Sequence, residues 1–181
     1  MAAECIDERT TRRLAVGSPS WILRFGGLPS KPITAAACAR GPNQENPTMK
    51  IEGGCYCKQV RYESTGDIGL KGQCFCRECQ YISGGDSVLI IGVPEDGFKV
   101  TQGELKQFRR SDLENPVTRE FCPNCGTHVT TRAMPGMVMI KVGSIDDQSV
   151  FEGPQMGIFT CDAQSYHSVP TNIPTFEKMP G

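Results

Sequence analysis

The sequence has little of what marks a nucleic-acid-binding or membrane protein. Its 19 basic and 20 acidic residues give a formal net charge of −1, so no charge excess would draw it to a polyanion or an acidic bilayer surface. Its longest apolar stretch, residues 88–93, has the length of a strand and falls far short of the roughly 18 residues that a membrane-spanning helix needs. We therefore expect neither nucleic acid nor a membrane as a partner.

A long helical period is also missing, and so is an internal repeat. Short alternating or apolar segments are instead separated by Gly and Pro turn signals, such as Gly84-Gly85 and Met134-Pro135-Gly136. The strand candidates are residues 60–63, 87–93, 98–101, 105–109, 118–121, 128–131 and 137–142. Many short strands with such turns predict an all-β fold, which can be a sandwich, a barrel or a folded sheet.

The first 48 residues differ in composition from those that follow. They are rich in Pro, Gly, Ser and Ala, and they carry six basic and four acidic residues, whereas the remainder carries 13 basic and 16 acidic residues. We predict that residues 1–48 are a disordered extension or the product of a mis-annotated start, with Met49 as the true one; an organelle-targeting peptide is the third alternative. Residues 49–181 form the predicted functional domain.

Cysteine is the residue that the sequence has in excess, with ten in 181 residues. Disulfide frameworks usually scatter their cysteines, whereas metal sites place them two or three residues apart. Close spacing here favours metal binding by reduced thiols, and reduced thiols indicate a reducing compartment, which we expect to be the cytoplasm. Seven cysteines fall in three tight clusters: Cys55, Cys57, Cys74, Cys76, Cys79, Cys122 and Cys125.

The spacing divides these seven cysteines into four and three. Cys122-Pro123-Asn124-Cys125-Gly126 has the form of a zinc knuckle, which supplies two ligands, and Cys55 with Cys57 is the simplest partner that completes a structural four-cysteine site. Cys74, Cys76 and Cys79 remain. A zinc ion with three protein ligands keeps an open position, and three thiolates suit it to holding a further sulfur as a thiolate.

Other partitions stay open at this point. His128 follows the knuckle on a predicted strand and can complete a purely structural Cys₃His site, and His167 is a weaker candidate for the same role. Clustered cysteines can also hold an iron–sulfur centre. A zinc-stabilised binding module without catalysis is the alternative to an enzyme.

The motifs, taken in order, resemble the glutathione-dependent formaldehyde-activating enzyme (GFA) family, which also includes centromere protein V-like members. The resemblance covers about residues 50–180. It is carried by Gly53-Gly54-Cys55-Tyr56-Cys57, by Cys74-x-Cys76-x-x-Cys79, by Arg119-Glu120-Phe121-Cys122-Pro123-Asn124-Cys125-Gly126, and by the tail from Ile158-Phe159 to Ile173-Pro174-Thr175-Phe176-Glu177.

The resemblance implies a β-tent of small antiparallel sheets with zinc knuckles, little helix and two zinc ions per chain. It implies that Cys55, Cys57, Cys122 and Cys125 hold a structural zinc, and that Cys74, Cys76 and Cys79 hold a catalytic one. The implied activity is that of a carbon–sulfur lyase that condenses glutathione, a small thiol, with formaldehyde, a small aldehyde, to S-(hydroxymethyl)glutathione. A related thiol and aldehyde are possible substrates on the same site.

Two features of the sequence bear on the substrate. The carboxylates of glutathione need cationic partners, and Arg77 and Arg119 are the favoured candidates because they lie close to ligand cysteines in the sequence. The chain also departs from the family pattern: Phe75 stands where many members have His, and Tyr166 and His167 stand near a position that is often Trp.

Overall fold

The computed structural model describes residues 49–180. The predicted extension, residues 1–48, lies outside the described residues, and the boundary at Met49 therefore stays a prediction. Within residues 49–180 there are ten strands, β1 to β10, and one α-helix, α1. In chain order they are β1 Lys50–Gly54, β2 Arg61–Thr65, β3 Leu70–Cys74, α1 Arg77–Ser83, β4 Val88–Pro94, β5 Phe98–Gln102, β6 Lys106–Phe108, β7 Thr118–Phe121, β8 His128–Met134, β9 Met137–Lys141 and β10 Met156–Ile158.

The strands form two sheets. The smaller has the order β1-β2-β5 and the larger has the order β10-β3-β4-β9-β8-β7-β6. Every pair is antiparallel except β10 with β3, which run parallel. This architecture confirms the predicted all-β fold with little helix. No helix among residues 49–180 has the length and apolar character that a membrane crossing requires.

One face of the seven-stranded sheet packs against the three-stranded sheet. Ile91 on β4 and Ile140 on β9 belong to the apolar core between the sheets, to which β2 contributes Tyr62. The Tyr62 hydroxyl donates to the Ser144 carbonyl oxygen at 3.1 Å. A Cβ on Gly53 would lie 2.2 Å from that hydroxyl oxygen, so the close approach of β1 requires glycine.

The other face of the same sheet carries a second apolar cluster. Because side chains alternate along a strand, Val88 and Ile90 point away from Ile91, and they pack with Met139 of β9. The same cluster contains Ile158 of β10 and the three cysteines Cys74, Cys76 and Cys79. The fold thus separates a fully apolar core from a face that combines apolar side chains with sulfur.

Candidate metal centres and their cavity

Four cysteines meet where two turns face each other. Cys55 and Cys57 follow β1, and Cys122 and Cys125 follow β7. Their four Sγ atoms all lie within 4.8 Å of one another. Cys57 Sγ is 3.4 Å from Cys55 Sγ and 3.7 Å from Cys122 Sγ, far beyond the roughly 2.05 Å of a disulfide. A tetrahedral metal with bonds of about 2.3 Å to sulfur separates its ligands by about 3.8 Å, so the donor set fits such an ion.

Local hydrogen bonds stabilise negative charge on two of these sulfurs. The Val60 backbone N–H donates to Cys55 Sγ at 3.2 Å, and Thr127 Oγ1 lies 3.2 Å from Cys125 Sγ. Hydrogen bonding by Thr127 is the main reason why the pKa of the Cys125 thiol is lowered to about 5. Gly126 has a φ of +71°, a conformation that glycine adopts without strain, and it allows the tight turn after Cys125. Hydrogen bonding thus favours the thiolate, the form that binds metal, at Cys55 and Cys125, whereas burial raises the pKa of the Cys122 thiol to about 11.

Three further cysteines meet at the start of α1. Cys74 ends β3, Cys76 is the residue before the helix, and Cys79 lies in its first turn. All three are buried, and their Sγ atoms lie within 4.8 Å of one another. Cys76 has φ −58° and ψ 150°, an extended conformation that turns the chain from the strand into the helix and brings the three sulfurs together. The structure thus brings the seven cysteines into the same two sets that their spacing suggests.

The three buried thiols interact strongly with one another. Hydrogen bonds from Cys74 and Cys76 hold the pKa of the Cys79 thiol well below its usual value. The pKa of Cys74 is raised because its proton is held by Cys76 and Cys79. Three neighbouring thiols cannot all ionise without a compensating cation, and a divalent metal is the usual one for such a set. Both clusters can therefore hold a metal ion.

Gln80, which sequence reasoning did not single out, fixes the backbone between these cysteines. Its side chain is almost fully buried. Its Nε2 donates to the Phe75 carbonyl oxygen at 2.7 Å and to the Asp162 carbonyl oxygen at 2.9 Å. Because Phe75 lies between Cys74 and Cys76, these hydrogen bonds set the direction of both sulfurs.

A cavity of about 400 Å³ opens beside the three-cysteine cluster. Its floor is the sulfur-bearing face of the seven-stranded sheet, and its walls are mostly apolar. The apolar lining residues include Leu70, Ile90, Met139, Ile158, Phe159 and Met179. Cys74, Cys76 and Cys79 all line it, so a ligand in the cavity can reach the side of the cluster that the chain leaves open.

A model of the protein family described as "Glutathione-dependent formaldehyde-activating enzyme" matches residues 50–162. This chain belongs to that family. The resemblance carried by the cysteine motifs is thereby confirmed, and the matched residues include both cysteine clusters.

Comparison with solved structures finds a distant likeness. A crystal structure of a Rhodobacter sphaeroides protein, a structural genomics target, is similar over 52% of this chain and 87% of its own length, with 17% sequence identity and a TM-score of 0.44. At this distance the likeness says nothing about activity. Among curated proteins, none matches this chain.

The two arginines favoured from the sequence lie in different places. Arg119 on β7 is 7% exposed and lines the cavity. It already has an anionic partner, because its Nη2 lies 3.4 Å from Glu78 Oε2. Arg77 is exposed and is not among the residues that line the cavity; its guanidinium lies 5.2 Å from the centre of the Tyr81 ring. Of the two, Arg119 is therefore the one that a ligand in the cavity can contact.

Neither histidine joins a cysteine cluster within residues 49–180. His167 Nδ1 accepts from the Gln164 backbone N–H at 2.8 Å, and its Nε2 lies 2.8 Å from the Gly85 carbonyl oxygen. These contacts occupy both ring nitrogens and require the proton on Nε2. His128 packs on Phe121 with ring centres 5.4 Å apart.

The departures from the family pattern lie outside the cavity lining. Phe75 is fully buried and packs on the His167 ring, with ring centres 5.6 Å apart. Tyr166 is exposed, and its hydroxyl donates to the Gly85 carbonyl oxygen at 3.2 Å. Side chains at these positions contact the loop after α1 and not the cavity. The choice of substrate therefore depends on other residues, namely those that line the cavity.

Proposed function

We propose that this protein is a zinc-dependent carbon–sulfur lyase that condenses a small thiol, with glutathione as the first candidate, with formaldehyde. Family membership supports the class of reaction. The single observation that carries the proposal is the three-cysteine cluster: three buried sulfurs, one fewer than a complete tetrahedral set, line a cavity large enough for a small ligand.

The proposal assigns the two clusters different roles. Cys55, Cys57, Cys122 and Cys125 would hold a structural zinc because they complete its coordination. Cys74, Cys76 and Cys79 would hold the catalytic zinc, giving two ions per chain. When bound there, zinc would stabilise the substrate sulfur as a thiolate at neutral pH, where a free thiol with a pKa near 8.5 is mostly protonated.

The residues of the chain contribute position and environment to this reaction. The sulfur lone pair forms the new bond to the carbonyl carbon, the carbonyl π pair moves to oxygen, and that oxygen takes up one proton to replace the one lost by the thiol. Apolar walls such as Leu70 and Ile158 exclude water from the cavity, which strengthens the attraction of the substrate to charged groups. Bringing thiol and aldehyde together in one cavity accounts for a large part of the expected acceleration.

The direct test is to incubate the zinc-loaded protein with glutathione and formaldehyde and to follow adduct formation. We expect a rate above that of the uncatalysed condensation, and the control is the same mixture without protein. The substrates condense without a catalyst, so the control sets the baseline. An unchanged rate would contradict the enzyme proposal and would favour a zinc-stabilised binding module.

Localisation in the cytoplasm stays a prediction, which the reduced thiols support.

Replacement of Gln80 tests how the catalytic cluster is held. We expect Gln80→Ala to weaken zinc binding at the three-cysteine cluster by about 10-fold, because residues that orient metal ligands typically contribute 10- to 100-fold to affinity. A competitive chelator titration measures this affinity. In Gln80→Ala, one of the two zinc ions should be released at a lower chelator concentration than in the wild type. Tyr81→Ala is the matched control, since Tyr81 is the next residue on α1 and its side chain is exposed. Equal zinc affinity in both variants would contradict the role given to Gln80.

A further inference from the structure

Two lysines are buried in the described part of the chain, and their surroundings differ. Lys71 lies on β3, and its Nζ is 2.7 Å from Glu152 Oε2. Lys141 ends β9 and is only 7% exposed, and among residues 49–180 no carboxylate lies within ion-pair distance of its Nζ. A buried charge is costly without an anion nearby, and for Lys141 the described residues supply the sulfurs of the three-cysteine cluster rather than a carboxylate.

The position of Lys141 points to the cavity. Lys141 and Met139 lie two residues apart on β9 and therefore face the same side of the sheet, and both line the cavity beside the three-cysteine cluster. The positive charge of Lys141 is close enough to contribute to lowering the pKa of the Cys79 thiol. A ligand whose sulfur reaches the cluster therefore passes within reach of this ammonium group.

A second polar group lies beside Lys141. Thr131 on β8 is opposite Met139 in the register of the sheet and lines the same cavity. It is 8% exposed, and its Oγ1 is buried without a hydrogen-bond partner among the described residues. Diagonal neighbours on adjacent strands are about 7–8 Å apart, within reach of a long side chain. The Thr131 Oγ1 has no accessible surface, however, so a ligand carboxylate in the cavity can accept from Lys141 but does not reach Thr131.

Arg119 completes the polar side of the cavity but carries less free charge. It lies opposite Thr131 in the register, so a row of side chains crosses β7, β8 and β9. Glu78 lies between Arg119 and Arg110 and contacts both guanidinium groups, at 3.4 Å and 2.9 Å. Arg110 is also paired with Asp112, so these two cations and two anions balance. Lys141 has no such carboxylate partner among the described residues, so it is the cation of the cavity that can bind a carboxylate of the ligand.

From these contacts we infer that Lys141 is a carboxylate-binding residue of the cavity, which makes the cavity selective for thiols that carry a carboxylate over neutral thiols of the same size. This inference rests on the proposed function, because it assumes that the cavity takes a thiol. The apolar walls hold the body of the ligand, the cluster holds its sulfur, and Lys141 binds its anionic end.

The experiment compares 3-mercaptopropionate with 3-mercaptopropionamide, which have the same shape and differ in charge. Their binding to the zinc-loaded full chain is measured by isothermal titration calorimetry. We expect the carboxylate thiol to bind about 10- to 100-fold more tightly, the size of one charge-assisted hydrogen-bonded contact. In Lys141→Met the preference, which is the ratio of the two dissociation constants, should fall to about one. Both thiols should bind somewhat more weakly, because the charge of Lys141 also favours thiolate at the cluster. Thr131→Val, which replaces a hydroxyl that the ligand does not reach, should keep the preference.

The controls separate the inference from the proposed function. Lys71→Met removes the paired buried lysine and should keep the full preference, whereas a preference retained in Lys141→Met would overturn the inference. Loss of zinc from the three-cysteine cluster in Lys141→Met would also overturn it, because the role of Lys141 would then be to stabilise the metal-bound cluster and not to bind a carboxylate. If wild-type protein binds both thiols equally, the inference fails and the proposed function stands. If it binds neither thiol, the proposed function fails and the inference falls with it.

Discussion

Replacing Cys122 with serine is expected to leave the chain unable to fold stably. Cys122 is completely buried, and its Sγ lies among those of Cys55, Cys57 and Cys125. Binding of a structural zinc by four cysteines contributes roughly 10–16 kcal/mol in small zinc domains, whereas a whole domain is stable by about 5–15 kcal/mol. Loss of one of four ligands therefore removes enough free energy to populate the unfolded state.

Thermal unfolding followed by circular dichroism, together with the zinc content of the purified protein, measures this effect. We expect Cys122→Ser to show no cooperative transition, or one far below that of the wild type, and to lack at least one zinc ion. Asn124→Ser is the matched control, because Asn124 is exposed in the same turn and offers no sulfur. A Cys122→Ser protein with wild-type stability would contradict the structural role of the four-cysteine cluster.

Replacing Cys76 with serine should give the opposite result. The folded structure should persist because the apolar core between the two sheets does not include Cys76. Activity with glutathione and formaldehyde should fall at least about 100-fold, since loss of a direct metal ligand costs no less than loss of the groups that orient ligands. Initial rates of adduct formation, corrected for the uncatalysed reaction, measure this loss.

Stability and zinc content complete the Cys76 experiment. We expect one zinc ion to remain, held by the four-cysteine cluster, and the unfolding transition to stay cooperative. Tyr81→Phe, an exposed change on the same helix, should keep both activity and two zinc ions. Should Cys76→Ser unfold as readily as Cys122→Ser, the division into a structural and a catalytic cluster would be wrong.

Local patterns were sufficient to predict most of the strands. The seven predicted segments coincide with β2 and with β4 to β9, because each has alternating or continuous apolar residues between turn signals. The sequence did not reveal β1, with the sequence KIEGG, β3, with LKGQC, or β10, with MGI. Their glycines are poor strand formers, and these segments are extended because neighbouring strands supply their hydrogen bonds.

The sequence was also sufficient to predict the two cysteine sets and to single out Arg119, which lines the cavity, but it was not sufficient to predict Lys141. Cys74, Cys76 and Cys79 are adjacent in the chain, so their meeting is a local event. Lys141 is 62 residues from Cys79 in the sequence, and it reaches the cavity because β9 is a central strand next to β4. Nothing in the sequence distinguishes it from a solvent-exposed lysine at the end of a strand, since its burial follows from the register of the sheet.

The two cysteine clusters differ in how much chain each one spans, and this difference predicts when each would acquire its ion. The three-cysteine cluster lies within residues 74–79, so a short nascent peptide already contains all of its sulfurs. The four-cysteine cluster joins Cys57 to Cys122, which are 65 residues apart, and its assembly has to pay the entropy of closing that loop. We expect the local cluster to load during synthesis and the distant one to load later, in the same step in which the sheets assemble.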